Sequence, residues 1–112
     1  MPTVEVRKSG EIRWYNGIGR EIAIIIAESL SIKGISSLCV ADVSVYVSDF
    51  NRCDYAPFPV EIIIDANDRP EREAKLHEIR QEIIKKIIAR KIINQKFSVR
   101  LRLKKISFGI SS

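Results

Sequence analysis

Cysteine and histidine are nearly absent from this chain of 112 residues, which has only Cys39, Cys53 and His77. The two cysteines form no CxxC pair, and three such residues cannot assemble a metal-ligand cluster of familiar spacing. Structural zinc and Cys-His catalysis are therefore excluded. Long apolar runs are missing too. The longest, Ile22 to Ala27, falls far short of the roughly 20 residues of a membrane span. The first 30 residues carry no secretory h-region, so the chain is expected to be cytoplasmic and to leave membranes alone. Glycine (5) and proline (4) are scarce, and 46% hydrophobic with 29% charged residues argues against a collagen-like, low-complexity or largely disordered chain. The length suits one domain over residues 1–112, built on a single core.

Charge of one sign is unevenly spread. Residues 1–56 hold 6 Lys+Arg against 7 Asp+Glu, whereas residues 57–112 hold 13 against 7, for net charges of −1 and +6. Nine late cations, Lys85, Lys86, Arg90, Lys91, Lys96, Arg100, Arg102, Lys104 and Lys105, follow one another with no acid among them. Such a block attracts nucleic acid, an acidic partner or small anions by long-range steering, or else forms a solvated basic face.

Residues 3–8 alternate apolar and polar, the pattern of a half-buried strand. A helix is expected over 17–31, with Asn16 as N-cap and Ile18, Ile22, Ile25, Ile26 and Leu30 on one face. The β-branched run Ile24–Ile26 keeps a buried strand open as the alternative, although the segment's length favours helix. Gly34 is expected to close it. Val40–Val47 reads as a second strand with Ala41, Val43, Val45 and Val47 on one face, and Val60–Ile64 as a third. Asn67, Asp68 and Pro70 announce a second helix, in which Leu76, Ile79, Ile83, Ile84, Ile87 and Ile88 form the apolar stripe. Phe97–Lys104 alternates strictly and is the last strand.

The order β-α-β-β-α-β predicts an α+β fold, a four-stranded sheet with two helices on one face. Two arrangements fit it. One is ferredoxin-like, and the other sets two parallel β-α-β units side by side, antiparallel to each other. The opposite sheet face, with Thr3, Glu5, Arg7, Asp42, Ser44, Tyr46, Glu61, Ile63, Asp65, Arg100, Arg102 and Lys104, is mostly polar and either wet or turned toward a symmetry mate.

The start Met1-Pro2-Thr3-Val4-Glu5-Val6, Lys33 at the end of the first helix, Pro57-Phe58-Pro59-Val60-Glu61 leading into the third strand, and Asn67-Asp68-Arg69-Pro70-Glu71 opening the second helix together resemble the tautomerase superfamily. That superfamily includes macrophage migration inhibitory factor, 4-oxalocrotonate tautomerase and 5-carboxymethyl-2-hydroxymuconate isomerase. The resemblance spans roughly residues 2–106 in element order and implies the arrangement of two parallel β-α-β units. It also implies a homotrimer and a catalytic Pro2, freed when Met1 is removed. The chemistry of Pro2 can be argued separately. A neutral secondary amine on a rigid ring, with its pKa lowered by burial, can serve as a base near neutral pH. Otherwise Pro2 merely starts a strand where no ladder donor is needed.

In a parallel β-α-β unit the first helix returns to the sheet end where the first strand began, which brings Lys33 toward Pro2. By the resemblance Lys33 helps bind substrate; it equally suits the helix C-terminal dipole. The third strand, if antiparallel to the first, brings Ile63, Ile64 and Asp65 to the same end, with Ile63 or Ile64 as an apolar wall or as ordinary core. On the last strand, Arg100-Leu101-Arg102 stands where the inhibitory-factor type has Tyr-x-Asn. Arginine can grip a carboxylate with two hydrogen bonds, or Arg100 and Arg102 can pair across strands with Glu61 and Asp65. Trp14 and Tyr15 either shield a pocket or pack a loop, and His77 reads as a solvated helix residue.

Three functions follow. The first is a tautomerase or isomerase acting through Pro2, with no cofactor, on a small 2-oxo or 2-hydroxy-unsaturated carboxylic acid held by Lys33 and an arginine. The second is a catalytically silent assembly protein of the same fold. The third, a basic ferredoxin-like module binding nucleic acid, is disfavoured because the central strands offer no aromatic on which bases stack.

Overall fold

The computed structural model describes residues 2–32, 34, 37–52 and 54–105. Strand β1 (Thr3–Lys8) leads to helix α1 (Ile18–Leu30), a 3-10 turn (Val40–Asp42) and β2 (Ser44–Asp49). Then come β3 (Val60–Asn67), a short helix α2 (Pro70–Ala74), α3 (Leu76–Ala89) and β4 (Phe97–Lys104). The strand order is β2-β1-β3-β4, with β1 parallel to β2, β3 parallel to β4, and β1 antiparallel to β3. This order excludes the ferredoxin-like alternative, in which each β-α-β unit would be split by an intervening strand. Here each unit stays intact and the two join through β1 and β3.

Alternation decides which face of each strand is covered. Val4, Val6, Val60, Ile62, Ile64 and Ala66 are all at most 1% exposed, while Thr3, Glu5, Glu61 and Asp65 occupy the other face. Against the apolar face lies α1, with Ile22, Ile25, Ile26 and Leu30 fully buried. The β-branched run Ile24–Ile26 costs only some tenths of a kcal/mol per residue in helix propensity. Burial of Ile25 and Ile26 returns roughly 1.5–3 kcal/mol each, so packing sets the helical state.

Several boundaries differ from the sequence expectation. Helix α1 is capped at Gly17 with no side-chain cap, because a turn closed by the Ile18 amide on the Tyr15 carbonyl (3.2 Å) places Asn16 at its corner. The helix ends at Ser31, whose backbone is extended, and Gly34, with φ 79°, lies beyond the cap. The second strand begins at Ser44 and not at Val40. Asp42 accepts a hydrogen bond from the Cys39 amide (2.9 Å), and this local bond draws residues 40–42 into a 3-10 turn in competition with the sheet. The third strand extends to Asn67, since its ladder with β4 continues to the Asn67–Lys104 pair.

The second helix is broken at Lys75 (φ −120°, ψ 22°). Of its expected stripe, Ile83 and Ile87 are fully buried, but Ile88 is 59% exposed. At 100° per residue, Ile88 stands too far round from the Ile83–Ile87 line to reach the sheet. No helix among the described residues is long and apolar enough to cross a membrane.

The packing sets a clear contrast. Ile22→Ala or Ile62→Ala should lower stability by about 2–5 kcal/mol through lost burial and a residual cavity. Ile88→Ala should change it by less than about 1 kcal/mol. Urea unfolding of the three variants checks the ordering.

Candidate active site at the Pro2 end of the sheet

Pro2 is buried. Its carbonyl accepts the Ser44 amide at 3.2 Å, which fixes the start of β1 against β2. From the pairs Thr3–Asp65 and Val4–Ile64, continuation of the register sets Ala66 opposite Pro2. Ile64 is fully buried on the helix side beside Val4, whereas Ile63 is partly exposed on the outer face. The two isoleucines thus line opposite faces of β3.

On the outer face one row runs Ser44–Thr3–Asp65–Arg102 and the next Tyr46–Glu5–Ile63–Arg100. Arg102 grips Asp65 with both arms of its guanidinium, Nε to Oδ1 at 2.7 Å and Nη2 to Oδ2 at 2.9 Å. Lys104 Nζ lies 3.4 Å from Asp65 Oδ1. The Arg102 hydrogen bonds are the main cause holding the Asp65 carboxyl below its usual range. Of the two pairings considered from sequence, Arg102 with Asp65 forms. Arg100, exposed and level with Ile63, makes no ion pair among the described residues. Arg102 shares a row with Thr3, the neighbour of Pro2, but stands two strands away, roughly 10 Å at ordinary strand spacing. Lys33 lies outside the described residues.

The far end of the sheet is differently equipped. Arg7 Nη2 binds Asp54 Oδ2 at 2.6 Å and stacks over Phe50 at 5.5 Å. Lys8 pairs with Asp49, donates to the Ile12 carbonyl at 2.9 Å and sits 5.9 Å from the Trp14 ring. Trp14 and Tyr15 follow the C-terminal end of β1, remote from Pro2, and pack the loop there. Tyr15 donates to Glu21, and that bond pushes its pKa up to about 12. His77 is exposed and its Nδ1 lies 3.0 Å from Arg80. Among the described residues no group of three or more His, Cys, Asp or Glu side chains is placed to hold a metal.

The feature that sequence reading missed is Arg72, 3% exposed. Its Nη1 donates to the Asn67 carbonyl at 3.0 Å, and Nε and Nη2 donate to the Leu30 carbonyl at 3.4 and 3.2 Å. It therefore ties the end of α1 to the end of β3, at the sheet end where Pro2 lies. Nothing in the run Glu71-Arg72-Glu73 separates this arginine from a solvated one.

No family model and no curated protein matches the chain. Among solved structures it is similar to a macrophage migration inhibitory factor-like protein from Entamoeba histolytica. That match has a TM-score of 0.56 and 14% identity over 93% of this chain and 89% of the other. The chain has the macrophage migration inhibitory factor-like fold. The resemblance to the tautomerase superfamily read from the sequence thus holds for the architecture. A domain of unknown function from Sebaldella termitidis superposes with a TM-score of 0.40 and 16% identity over 93% of this chain and 89% of that one; at that score it adds nothing to the fold.

The Asp65 pairing has a pH signature. Because its folded-state pKa is lowered, its contribution is complete above the ordinary aspartate value of roughly 3.9. It is lost as the pH falls through the lower folded-state value. Asp65→Asn should reduce the urea midpoint at pH 7, and the midpoints of variant and parent should converge as the pH is taken below 3.9.

Proposed function

We propose that the chain is a tautomerase or isomerase that uses Pro2, exposed as an N-terminal secondary amine by removal of Met1, as a general base. Its substrate is a small 2-oxo or 2-hydroxy-unsaturated carboxylic acid. The observation that carries the reading is the burial of Pro2 at the start of a central strand in a fold of the inhibitory-factor type. Desolvation there disfavours the ammonium form, leaving a neutral amine to take a proton from carbon or oxygen. Lys33 and a last-strand arginine then hold the carboxylate and the developing enolate oxygen. Arg102 is already engaged by Asp65, so Arg100, with no ion pair among the described residues, is the better candidate for the substrate. Of Ile63 and Ile64, Ile63 on the outer face is the candidate apolar wall, since Ile64 is fully buried beside Val4. No metal or organic cofactor enters this scheme.

The polar outer face supports a homotrimer. It presents both signs, Glu5, Glu61 and Asp65 against Arg7, Arg100, Arg102 and Lys104, and three such sheets can enclose a wet, charge-paired channel. A neighbour's β4 would then bring an arginine to Pro2, which offsets the distance within one chain. Light scattering at micromolar concentration should give about three times the chain mass; a strictly monomeric species would remove this part of the scheme.

One observation favours a second reading, a silent assembly protein of the same fold: Arg102 is spent on a structural pair instead of a ligand. Nucleic-acid binding loses the ferredoxin-like topology on which it rested, and Thr3, Glu5, Arg7, Glu61, Ile63 and Asp65 provide no stacking surface.

Ketonisation of phenylenolpyruvate separates the first two readings. The Met-free protein should catalyse it with a kcat/KM governed by one ionisation below the ordinary α-amino range of roughly 7.7–8.0. Pro2→Ala should cost on the order of 10²-fold or more, as expected for loss of a general base. Arg100→Ala should act chiefly on KM, by ~10-fold or more. Equal rates for Met-capped and Met-free protein would rule out the amine as the base.

A further inference from the structure

A cleft of about 930 Å³ opens between the end of α1 and the α2–α3 segment. It shares no lining residue with Pro2 or with Ile63, Ile64, Arg100 or Arg102. Two buried polar groups line it. Arg72 makes three hydrogen bonds, all to backbone carbonyls, and no carboxylate among the described residues pairs with it. A guanidinium carries five N–H groups, so one N–H on each terminal nitrogen remains unused. Burial is the chief cause holding its pKa below the usual guanidinium range, though arginine stays charged at any physiological pH.

Ser29, 6% exposed, is the second group. A helical serine that does not point to solvent can donate to the carbonyl one turn back, yet Ser29 Oγ has no hydrogen-bond partner among the described residues. It is adjacent in sequence to Leu30, whose carbonyl receives two of the Arg72 bonds. The remaining wall is largely apolar, from Leu30, Ile32, Ala74 and Ile79. Glu71, Glu78, Glu82, Lys75 and Lys85 are exposed and Lys86 is half-buried, so among the described lining residues Arg72 is the one fully buried charge.

We propose that this cleft is a binding site for a small amphiphilic monocarboxylate, its carboxylate hydrogen-bonded by Arg72 and Ser29 and its apolar body laid along Ile32 and Ile79. The volume lies in the range of sites for small organic molecules, which pair apolar walls with a few placed polar groups. One carboxylate matches one buried cation in charge. Its two oxygens can accept the two unused N–H groups and the serine hydroxyl, whereas the second charge of a phosphate dianion would have no fully buried cation among the described lining residues and only Lys75, Lys85 and Lys86 further out to meet it.

Octanoate and its uncharged analogue octanamide test the proposal on the full chain, followed by backbone amide NMR and calorimetry. Octanoate should bind saturably, shift the amides of Ser29, Leu30, Ala74 and Ile79, and exceed octanamide in affinity by ~10-fold or more, as charge-assisted hydrogen bonds require. Arg72→Gln should erase the preference for the acid, and Ser29→Ala should weaken octanoate severalfold. Because Arg72→Gln also cuts the tie between α1 and β3, Ala74→Trp, which fills the cleft from an exposed position, carries the test where that variant does not fold. It should abolish octanoate binding. Equal affinity for acid and amide, shifts confined to residues outside the cleft, undiminished binding to Ala74→Trp, or no saturable binding would each overturn the proposal.

Discussion

The antiparallel pairing of β1 with β3 is the constraint on which everything else rests. Their six-residue register, Thr3–Asp65 to Lys8–Val60, is the seam through which two β-α-β units become one sheet, and both strands are interior to it. A slip of one residue would turn one strand's apolar set, Val4 and Val6 or Ile62 and Ile64, outward and that strand's polar set inward. With all four at most 1% exposed, that slip would sacrifice several kcal/mol of burial at roughly 1.5–3 kcal/mol for each side chain. The register in turn decides that Pro2, Ala66 and the Asp65–Arg102 pair meet at one end.

The fold also redistributes charge. In sequence the late basic block stands apart from every acid, but α3 packs beside α1, and Glu28 receives Lys86 at 3.2 Å and Arg90 at 2.9 Å. The Arg90 hydrogen bond is the main reason the Glu28 carboxyl sits below its usual range. Asp65 similarly engages Arg102 and Lys104, and Lys96 stacks over Phe58 at 5.2 Å. Lys86, Arg90, Arg102 and Lys104 of the cationic run are therefore drawn to two separate acids, Glu28 on α1 and Asp65 on β3.

Alternation and helical spacing made the four strands, α1 and the core stripe legible, because a one-sided apolar pattern has few ways to be buried. The limits of that reading are equally physical. The 3-10 turn at Val40–Asp42 follows from a local side-chain bond that a hydropathy pattern does not register, and the break at Lys75 coincides with the anchoring of α2 by Arg72. Periodicity placed Ile88 on the stripe, whereas two adjacent isoleucines diverge by 100° and only one of them can face the sheet. Arg72 was invisible because its partners, Leu30 and Asn67, are 42 and 5 residues away and offer only main-chain carbonyls. Of the candidate site, the sheet end could be read from topology, but the choice between Arg100 and Arg102 could not, since both alternate onto the same face and only the register decides which one meets Asp65.

The two ends of the sheet are not chemically equivalent, and this bears on where chemistry can occur. At the C-terminal end of β1 the cations are consumed: Arg7 by Asp54 and Phe50, Lys8 by Asp49, the Ile12 carbonyl and Trp14. These contacts rigidify a loop and leave little to meet a ligand. At the opposite end Arg72 braces α1 against β3 from within, using main-chain carbonyls and no acid among the described residues. On the outer face Asp65 orders Arg102, while Arg100, one row further along, makes no ion pair among the described residues. A buried ring at a strand start is thus held on a frame where Asp65 is already paired with Arg102 and Lys104. That arrangement is a property of the register, so any change that shifts β3 against β4 by one residue would exchange the roles of the arginine row and the apolar row together.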